Sequence, residues 1–189
     1  MRVAVLSDIH GFDLALERVL DDIDATGPYD EIVVAGDLCE VGPRPDRVIE
    51  LIRERGYQAI QGNTDANLVD GRYGYGAEEV HYARELIGQD GIDWLGSLQD
   101  QVRIAPPGGT SPQDDLLIVH ANPHDQLRAL DPSLSDRELL ELLLPVEASA
   151  IAFGHIHICY TRESKACCLS MSRPSAIPRT AIFAASTAS

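Results

Sequence analysis

Arg2-Val3-Ala4-Val5-Leu6-Ser7-Asp8-Ile9-His10 stands near the start of the chain and decides its fold. Its apolar residues form a short run typical of a buried strand, and two side chains that can bind metal follow where that strand would end. Asp8 and His10 are two residues apart, so in extended backbone they point to the same side. The stretch therefore predicts a buried strand that brings a carboxylate and an imidazole to one edge of a sheet.

Outward from this stretch, strand and helix patterns alternate along the chain. Short apolar runs predict strands over Arg2–Ser7, Glu31–Ala35, Tyr57–Gln61, Val102–Ala105, Leu116–His120 and Ala148–Gly154. Apolar residues at helical spacing predict helices over Phe12–Asp24, Arg47–Glu54, Ala77–Ile87, Ile92–Leu98 and Arg137–Leu144. Such alternation predicts an α/β fold whose strands are largely parallel.

Length and charge exclude several classes of protein. The chain has 189 residues, of which 44% are hydrophobic, and its formal net charge is −15. This length suits one domain with a substantial core. A strongly acidic surface repels duplex nucleic acid and anionic membranes, because Lys and Arg are needed to neutralise phosphates. Since the sequence also lacks an apolar run of about 20 residues and the pattern of a signal peptide, we expect a cytoplasmic protein that binds neither.

Four further motifs follow predicted strands, as Asp8-Ile9-His10 follows the first. They are Gly36-Asp37, Gly62-Asn63-Thr64-Asp65, Val119-His120 and Gly154-His155-Ile156-His157. In open α/β sheets, ligands bind beyond the carboxyl ends of the strands, so these motifs should meet at one rim. A single histidine after a strand is usually an ordinary polar residue, but four of the six histidines fall in the five motifs taken together. That concentration favours a metal site.

The donor types narrow down the metal. Imidazole, carboxylate and amide oxygen, with no thiolate, suit manganese, iron, zinc or nickel better than a structural zinc site. The number of donors exceeds what one tetrahedral ion takes and fits two ions that share a bridging carboxylate. The candidate ligands are Asp8, His10, Asp37, Asn63, His120, His155 and His157.

In this order the motifs resemble those of the calcineurin-like metallophosphoesterases, over residues 1–163. The segment Gly36–Pro45 is similar to its counterpart in the small prokaryotic phosphodiesterases of the YfcE-like group. The resemblance implies a four-layer α/β/β/α sandwich that holds two divalent metal ions, manganese being the most expected. It implies that the first ion is held by Asp8, His10 and His157, the second by Asn63, His120 and His155, and that Asp37 bridges them.

The resemblance also implies an activity, which is hydrolysis of a small phosphate ester by a metal-activated hydroxide. Asp37 and Asn63 are expected to take part in catalysis. Many relatives have a histidine where this chain has Thr64, and that histidine helps to protonate the leaving group. Threonine cannot do so near neutral pH, so we expect phosphodiesters with good leaving groups to be preferred. His124 could replace the missing donor or be an ordinary loop histidine.

Two points stay open at this stage. A retromer subunit of the same fold also lacks that histidine and serves as a protein-interaction module, so the alternative function is a metal-binding scaffold with little or no turnover. An enzyme is favoured because all seven candidate ligands are present. A homodimer is compatible with the sequence, which does not decide the oligomeric state.

The tail, residues 164–189, differs from the body of the chain. From Ala166 onward it contains no Gly, Asp or Glu and is rich in Ala and Ser. With suitable codons, the neighbouring reading frame of Leu169-Ser170-Met171-Ser172 encodes Val-Asn-Val. With suitable codons for Ser175 to Ala181, the same frame encodes Gly-Asp-Pro-Pro-Asp-Gly. Both stretches are similar to the family segment that is missing here. We therefore interpret the tail as the product of a shifted reading frame that disrupts the last strands; an unusual Ala/Ser-rich tail is the alternative.

Overall fold

The structure, a computed structural model, describes residues 1–72 and 76–163 and the backbone of 168–171. Its strands are β1 (Val3–Leu6), β2 (Glu31–Val34), β3 (Gln58–Ala59), β4 (Gln101–Ile104), β5 (Leu116–Val119), β6 (Ala150–Phe153), β7 (Thr161–Glu163) and β8 (Cys168–Met171). Its helices are α1 (Asp13–Thr26), α2 (Pro45–Arg55), α3 (Asn63–Asp70), α4 (Ala77–Ser97) and α5 (Asp136–Leu143).

The strands form two sheets. The first has the order β1-β2-β3 and is parallel throughout, as predicted. The second has the order β4-β5-β6-β8-β7 and is mixed. Its central pairs β5/β6 and β6/β8 are parallel, whereas β4 and β7 pair antiparallel at the two edges.

Three apolar clusters show how the layers stack. Between the sheets, Val5 and Val33 of the first sheet share a cluster with Val102 and Ile118 of the second. On the outer face of the first sheet, Leu6 and Val34 pack with the buried faces of α1, α2 and α4. On the outer face of the second, β5 and β6 pack with Leu139, Leu142 and Leu143 of α5. Side chains alternate along each strand, so both faces of each sheet are covered. The predicted four-layer α/β/β/α sandwich is confirmed.

The differences from the predicted elements have local causes. Helix α3 was not predicted, because its first residues were interpreted as a ligand motif. Two predicted helices merge into α4, which carries a non-helical Gly88 (φ 63°) at the junction. In the tail, β8 lies between β6 and β7, and the rest of residues 164–189 lies outside the described part of the chain. No helix among the described residues is long and apolar enough to cross a bilayer.

Candidate dinuclear metal centre

The carboxyl ends of β1, β2, β3, β5 and β6 meet at one rim of the sandwich, with a motif directly behind each strand. Asp8 follows β1 and Asp37 follows β2, while Asn63 begins α3 shortly after β3. His120 follows β5, and His155 and His157 lie in the loop after β6. Each half of the centre therefore draws ligands from both sheets, and the packing between the sheets sets the distances between them.

Left-handed backbone is concentrated at these motifs. Among the described residues other than glycine, six have positive φ, namely Asp8, His10, Asp37, Val41, His155 and His157. Residues with a Cβ rarely adopt this conformation, which persists only where the surroundings enforce it. Five of the six are predicted ligands, so the strained backbone turns several donor groups together toward the rim.

Among the described residues, two groups of side chains come close enough to hold metal ions. The first trio is Asp8, His10 and His157, and the second trio is Asp37, His120 and His155. Within each trio one donor atom from every residue lies within 4.8 Å of the others. These trios contain six of the seven predicted ligands, and Asp37, which is expected to bridge two ions, is a member of the second trio.

The first trio is compact and mostly buried. The Nε2 atoms of His10 and His157 are 3.3 Å apart, and His157 Nε2 is 3.2 Å from Asp8 Oδ1. The Asp8 carboxylate also accepts hydrogen bonds from the backbone N–H of His155, at 3.0 and 3.1 Å. That bond fixes the His155–His157 loop to β1 and leaves Asp8 facing both imidazoles.

The second trio has imidazoles that are oriented by backbone carbonyls. His120 Nδ1–H donates to the Ala35 carbonyl (2.9 Å), and His155 Nε2–H donates to the Leu127 carbonyl (2.9 Å). Each bond holds its ring in the tautomer whose other nitrogen is available to a metal ion once that nitrogen carries no proton. The Asn63 Oδ1 lies 2.9 Å from His120 Nε2, so the seventh predicted ligand joins this trio.

Asp37 lies between the trios. Its Oδ1 is 3.3 Å from His120 Nε2 and its Oδ2 is 3.6 Å from His10 Nε2. One carboxylate oxygen therefore faces each trio, which is the arrangement a bridging ligand needs. The backbone N–H of Thr64 donates to Oδ1 (3.0 Å) and helps to hold the carboxylate in place.

The electrostatics of Asp37 and His120 favour the charged form of each side chain. Burial opposes charge on both groups, but the attraction between them is stronger. Burial raises the pKa of Asp37, yet the His120 and His10 rings outweigh it and hold that pKa well below its usual range. Burial lowers the pKa of His120, yet the Asp37 carboxylate outweighs it and raises that pKa to about 9. A buried carboxylate that must be neutralised by neighbouring positive charge fits a site for cations.

Asp65 supports the centre without entering it. Its carboxylate is fully buried and accepts hydrogen bonds from the backbone N–H groups of Leu38, Cys39 and Gly62. The last contact caps the start of α3. At Gly62 any side chain would collide with Asp37, so the absence of a Cβ lets α3 approach the bridging carboxylate.

The two residues considered for proton donation have different surroundings. The Thr64 hydroxyl is buried and makes no hydrogen bond within the described protein. His124 is exposed, and its Nε2–H donates to the Leu144 carbonyl (3.0 Å) at the end of α5. Its role as a proton donor stays a prediction, because the ring would have to leave that carbonyl first.

Sequence reasoning missed the residues that organise the loop after β5. Asn122 is buried; its Oδ1 accepts from the backbone N–H groups of His124 and Asp125, and its Nδ2 donates to the Arg128 carbonyl. This loop carries Leu127, whose carbonyl orients His155. Asn side chains often hydrogen-bond to the backbone two residues further on, so an Asn in this loop is a signal for such a turn, but it says nothing about which histidine the turn supports.

A cleft of about 800 Å³ opens beside the second trio. Asn63 and His120 lie at its inner end, and it continues along α3, the start of β4 and the loop after β5. A small ligand in this cleft would reach the centre directly.

Comparison with known proteins identifies relatives. The model of the family "Calcineurin-like phosphoesterase" matches residues 1–159. The uncharacterized protein MJ0912 of Methanocaldococcus jannaschii is 33% identical over 126 residues, which are 64% of this chain and 49% of that protein. A symmetrical bis(5'-nucleosyl)-tetraphosphatase of Janthinobacterium is 28% identical over 76% of this chain and 52% of its own. The chain thus spans about half the length of these curated relatives.

Solved structures share the fold. The hypothetical protein PH1004 of Pyrococcus horikoshii superposes with a TM-score of 0.75 at 16% identity, over 91% of this chain and 76% of its own. The phosphoesterase YfcE of E. coli, whose group the motifs resemble, superposes with a TM-score of 0.54 at 17% identity, over 93% of this chain and 80% of its own. The metallophosphoesterase-type sandwich is therefore common to chains with few identical residues.

Proposed function

The chain belongs to the calcineurin-like phosphoesterase family, and from this premise we propose that it hydrolyses phosphate esters with two divalent metal ions. The observation that carries the proposal is the position of Asp37, whose two carboxylate oxygens face one trio each. A single site would need only one of these trios. Two trios that share a carboxylate match the requirement of a two-metal hydrolase.

The donor set fits such ions. Asp8, His10 and His157 would hold one, and Asn63, His120 and His155 the other, with Asp37 between them. Imidazole, carboxylate and amide donors without thiolate suit manganese, iron, zinc or nickel, and the family resemblance makes manganese the ion that we propose. When bound, two such ions supply an activated water and neutralise charge on the phosphate.

The chain's own residues complete the requirements. The Ala35 and Leu127 carbonyls orient two of the histidines, so these rings need little movement when ions bind. Binding at His120 would displace the proton that Asp37 stabilises on that ring. Asp65 fixes the start of α3 and with it Asn63. The substrate would enter through the cleft beside Asn63 and His120.

Phosphodiesters with good leaving groups are the substrates we propose. Thr64 offers a buried hydroxyl that cannot protonate a leaving group near pH 7, and general acid assistance is worth about 10²–10⁴-fold. A nitrophenolate leaves without that assistance, whereas an alkoxide does not. His124 could supply the proton only after releasing the Leu144 carbonyl.

The test is metal reconstitution with two readouts. The purified chain is stripped with a chelator and given Mn²⁺, and both bound metal per chain and hydrolysis of bis(p-nitrophenyl) phosphate are measured. We expect about two ions per chain and metal-dependent turnover, unchanged in His81→Ala, which alters an exposed histidine of α4 outside both trios. Metal binding without turnover above buffer would favour the scaffold function instead, and one ion or none would contradict the dinuclear centre.

A further inference from the structure

The outer part of the cleft beside the second trio differs in charge from its inner end at Asn63 and His120. Beyond Asn63 and His120 its described lining includes the carboxylates of Asp70, Asp100 and Asp125 and one guanidinium, that of Arg72. Arg72 already donates to Asp70 through Nε (2.9 Å). The part of the cleft that lies away from the centre is therefore net negative, in a chain whose formal charge is −15.

Neutral hydrogen-bonding groups fill much of the remaining lining. The side-chain amides of Asn67, Gln99 and Gln101 line the cleft and make no hydrogen bond within the described part of the chain. Gln126 lies among them and donates to Asp100 Oδ1 (3.0 Å) and to the Gln61 carbonyl (3.1 Å). Amides present both donors and acceptors, so they suit hydroxyl groups and heterocyclic bases.

An oligophosphate would meet unfavourable conditions here. The phosphate at the centre has the metal ligands beside it, but each additional phosphate would lie among carboxylates with no unpaired cation in the described lining. Like charges about 4 Å apart repel one another even in bulk water, and more strongly near a protein surface. A neutral nucleoside or sugar would not be repelled by these carboxylates and could form hydrogen bonds with the amides.

We propose, resting on the function proposed above, that the cleft binds a neutral, hydroxyl-rich group such as a nucleoside or sugar on the scissile phosphate, and that it disfavours an oligophosphate. Such a preference would distinguish this chain from its relatives named bis(5'-nucleosyl)-tetraphosphatase, whose name implies a tetraphosphate substrate.

Two substrates with one leaving group test it in the metal-loaded protein. The first is the p-nitrophenyl ester of thymidine 5'-monophosphate, and the second is the p-nitrophenyl ester at the terminal phosphate of thymidine 5'-triphosphate. In both, water adds to phosphorus, the bond to the aryl oxygen breaks, and p-nitrophenolate leaves with the electron pair. We expect kcat/KM to be at least tenfold higher for the monophosphate ester, and equal values or a preference for the triphosphate ester would overturn the proposal.

Reversing the charge of one cleft residue, Asp100, tests whether the cleft causes the preference for the monophosphate ester. Asp100 is exposed and accepts only from Gln126 among its side-chain contacts in the described structure, so Asp100→Lys should fold normally. We expect it to reduce the preference at least threefold. Asp93→Lys is the matched control, because Asp93 is also exposed and accepts from a glutamine amide, that of Gln89, but lies outside the cleft. An equal change in both variants would overturn the proposal.

A binding measurement keeps this proposal separate from the proposed activity. Calorimetry with Mn²⁺ in excess compares thymidine 5'-monophosphate with thymidine 5'-triphosphate. Tighter binding of the monophosphate, weakened preference in Asp100→Lys, and no turnover of either ester would support the cleft assignment while contradicting the hydrolase. Turnover of both esters combined with tighter binding of the triphosphate would contradict the cleft assignment and leave the hydrolase in place.

Discussion

The first and second trios have the same kind of donors but are held in different ways. In the first, His10, His157 and Asp8 orient one another through contacts of 3.2–3.3 Å. In the second, the rings of His120 and His155 each donate to a backbone carbonyl, and one of those carbonyls belongs to the loop after β5. The orientation of the second trio therefore depends on the loop after β5, whereas the first trio makes no such hydrogen bond to that loop among the described contacts. Asp37 of the second trio also faces the first.

The largest loss of bound metal and activity is expected at Asp37, because this residue faces both trios. Asp37→Asn removes a negative charge from both trios, so both should lose metal. Residues that merely orient metal ligands contribute about 10–100-fold to metal affinity or activity, and a shared ligand should exceed that, with a rate loss of more than about 100-fold. Bound metal and turnover of a p-nitrophenyl diester are measured, with Asp93→Asn as an exposed control. Full occupancy and an unchanged rate in Asp37→Asn would refute the two-metal assignment.

A change in the loop should separate the trios. Asn122→Ala removes the three hydrogen bonds that shape the loop carrying Leu127, so His155 loses its carbonyl partner. We expect metal affinity of the second trio to fall about 10–100-fold, since such supporting contacts carry that weight. Metal titration should then show one tight and one weakened ion per chain.

The control for that titration lies in the same cleft. Asn67→Ala removes an amide that makes no side-chain hydrogen bond within the described residues, so both affinities should stay as they are. If Asn122→Ala keeps two tight ions, the loop does not orient the second trio. If both ions weaken equally, the two trios do not differ in their support.

A substitution at Thr64 should change the stability of the protein without affecting either trio or the rate. We expect turnover to fall steeply as the pKa of the leaving group rises, because no general acid compensates. Thr64→Val should retain the rate and raise the free energy of unfolding by about 1 kcal/mol, since it removes a buried hydroxyl without a hydrogen-bond partner in the described protein. Equal rates for good and poor leaving groups would point to another donor, and His124→Ala would then show whether it is that histidine.

Most of the fold was predictable because apolar periodicity and strand-end motifs agree. The short run before Asp8 and the helical spacing of α1 each indicate one structure. The gathering of the motifs at one rim follows from parallel strands, whose carboxyl ends share an edge. The missed features depend on contacts that are distant in sequence. The hydrogen bond from His155 to Leu127, 28 residues away, has no local pattern. The expectation that Asp37 bridges two ions came from the family resemblance and not from a local pattern.

The smallest effect on the two trios is expected from the tail, since every predicted ligand precedes residue 158. The frameshift proposal concerns β8, which lies between β6 and β7 with Ala150 opposite Cys168. If the neighbouring frame encodes Val-Asn-Val, its two valines favour a strand at least as strongly as the present residues Leu169-Ser170-Met171. Restoring that frame should then keep the pairing of β8 and add the missing family segment after it.

Resequencing the gene decides whether the neighbouring frame is open. A stop codon within the tail in that frame, or no residues similar to the family segment, would end the proposal in favour of an unusual Ala/Ser-rich tail. If the frame is open, the restored chain should bind the same number of metal ions and turn over p-nitrophenyl diesters within about twofold of the present rate. Its melting temperature should rise, by about 2–4 °C for each kcal/mol gained in a chain of this size. An equal melting temperature would mean that β8 and the present tail already stabilise the second sheet as well as the restored segment does, because the metal centre is the same in both chains.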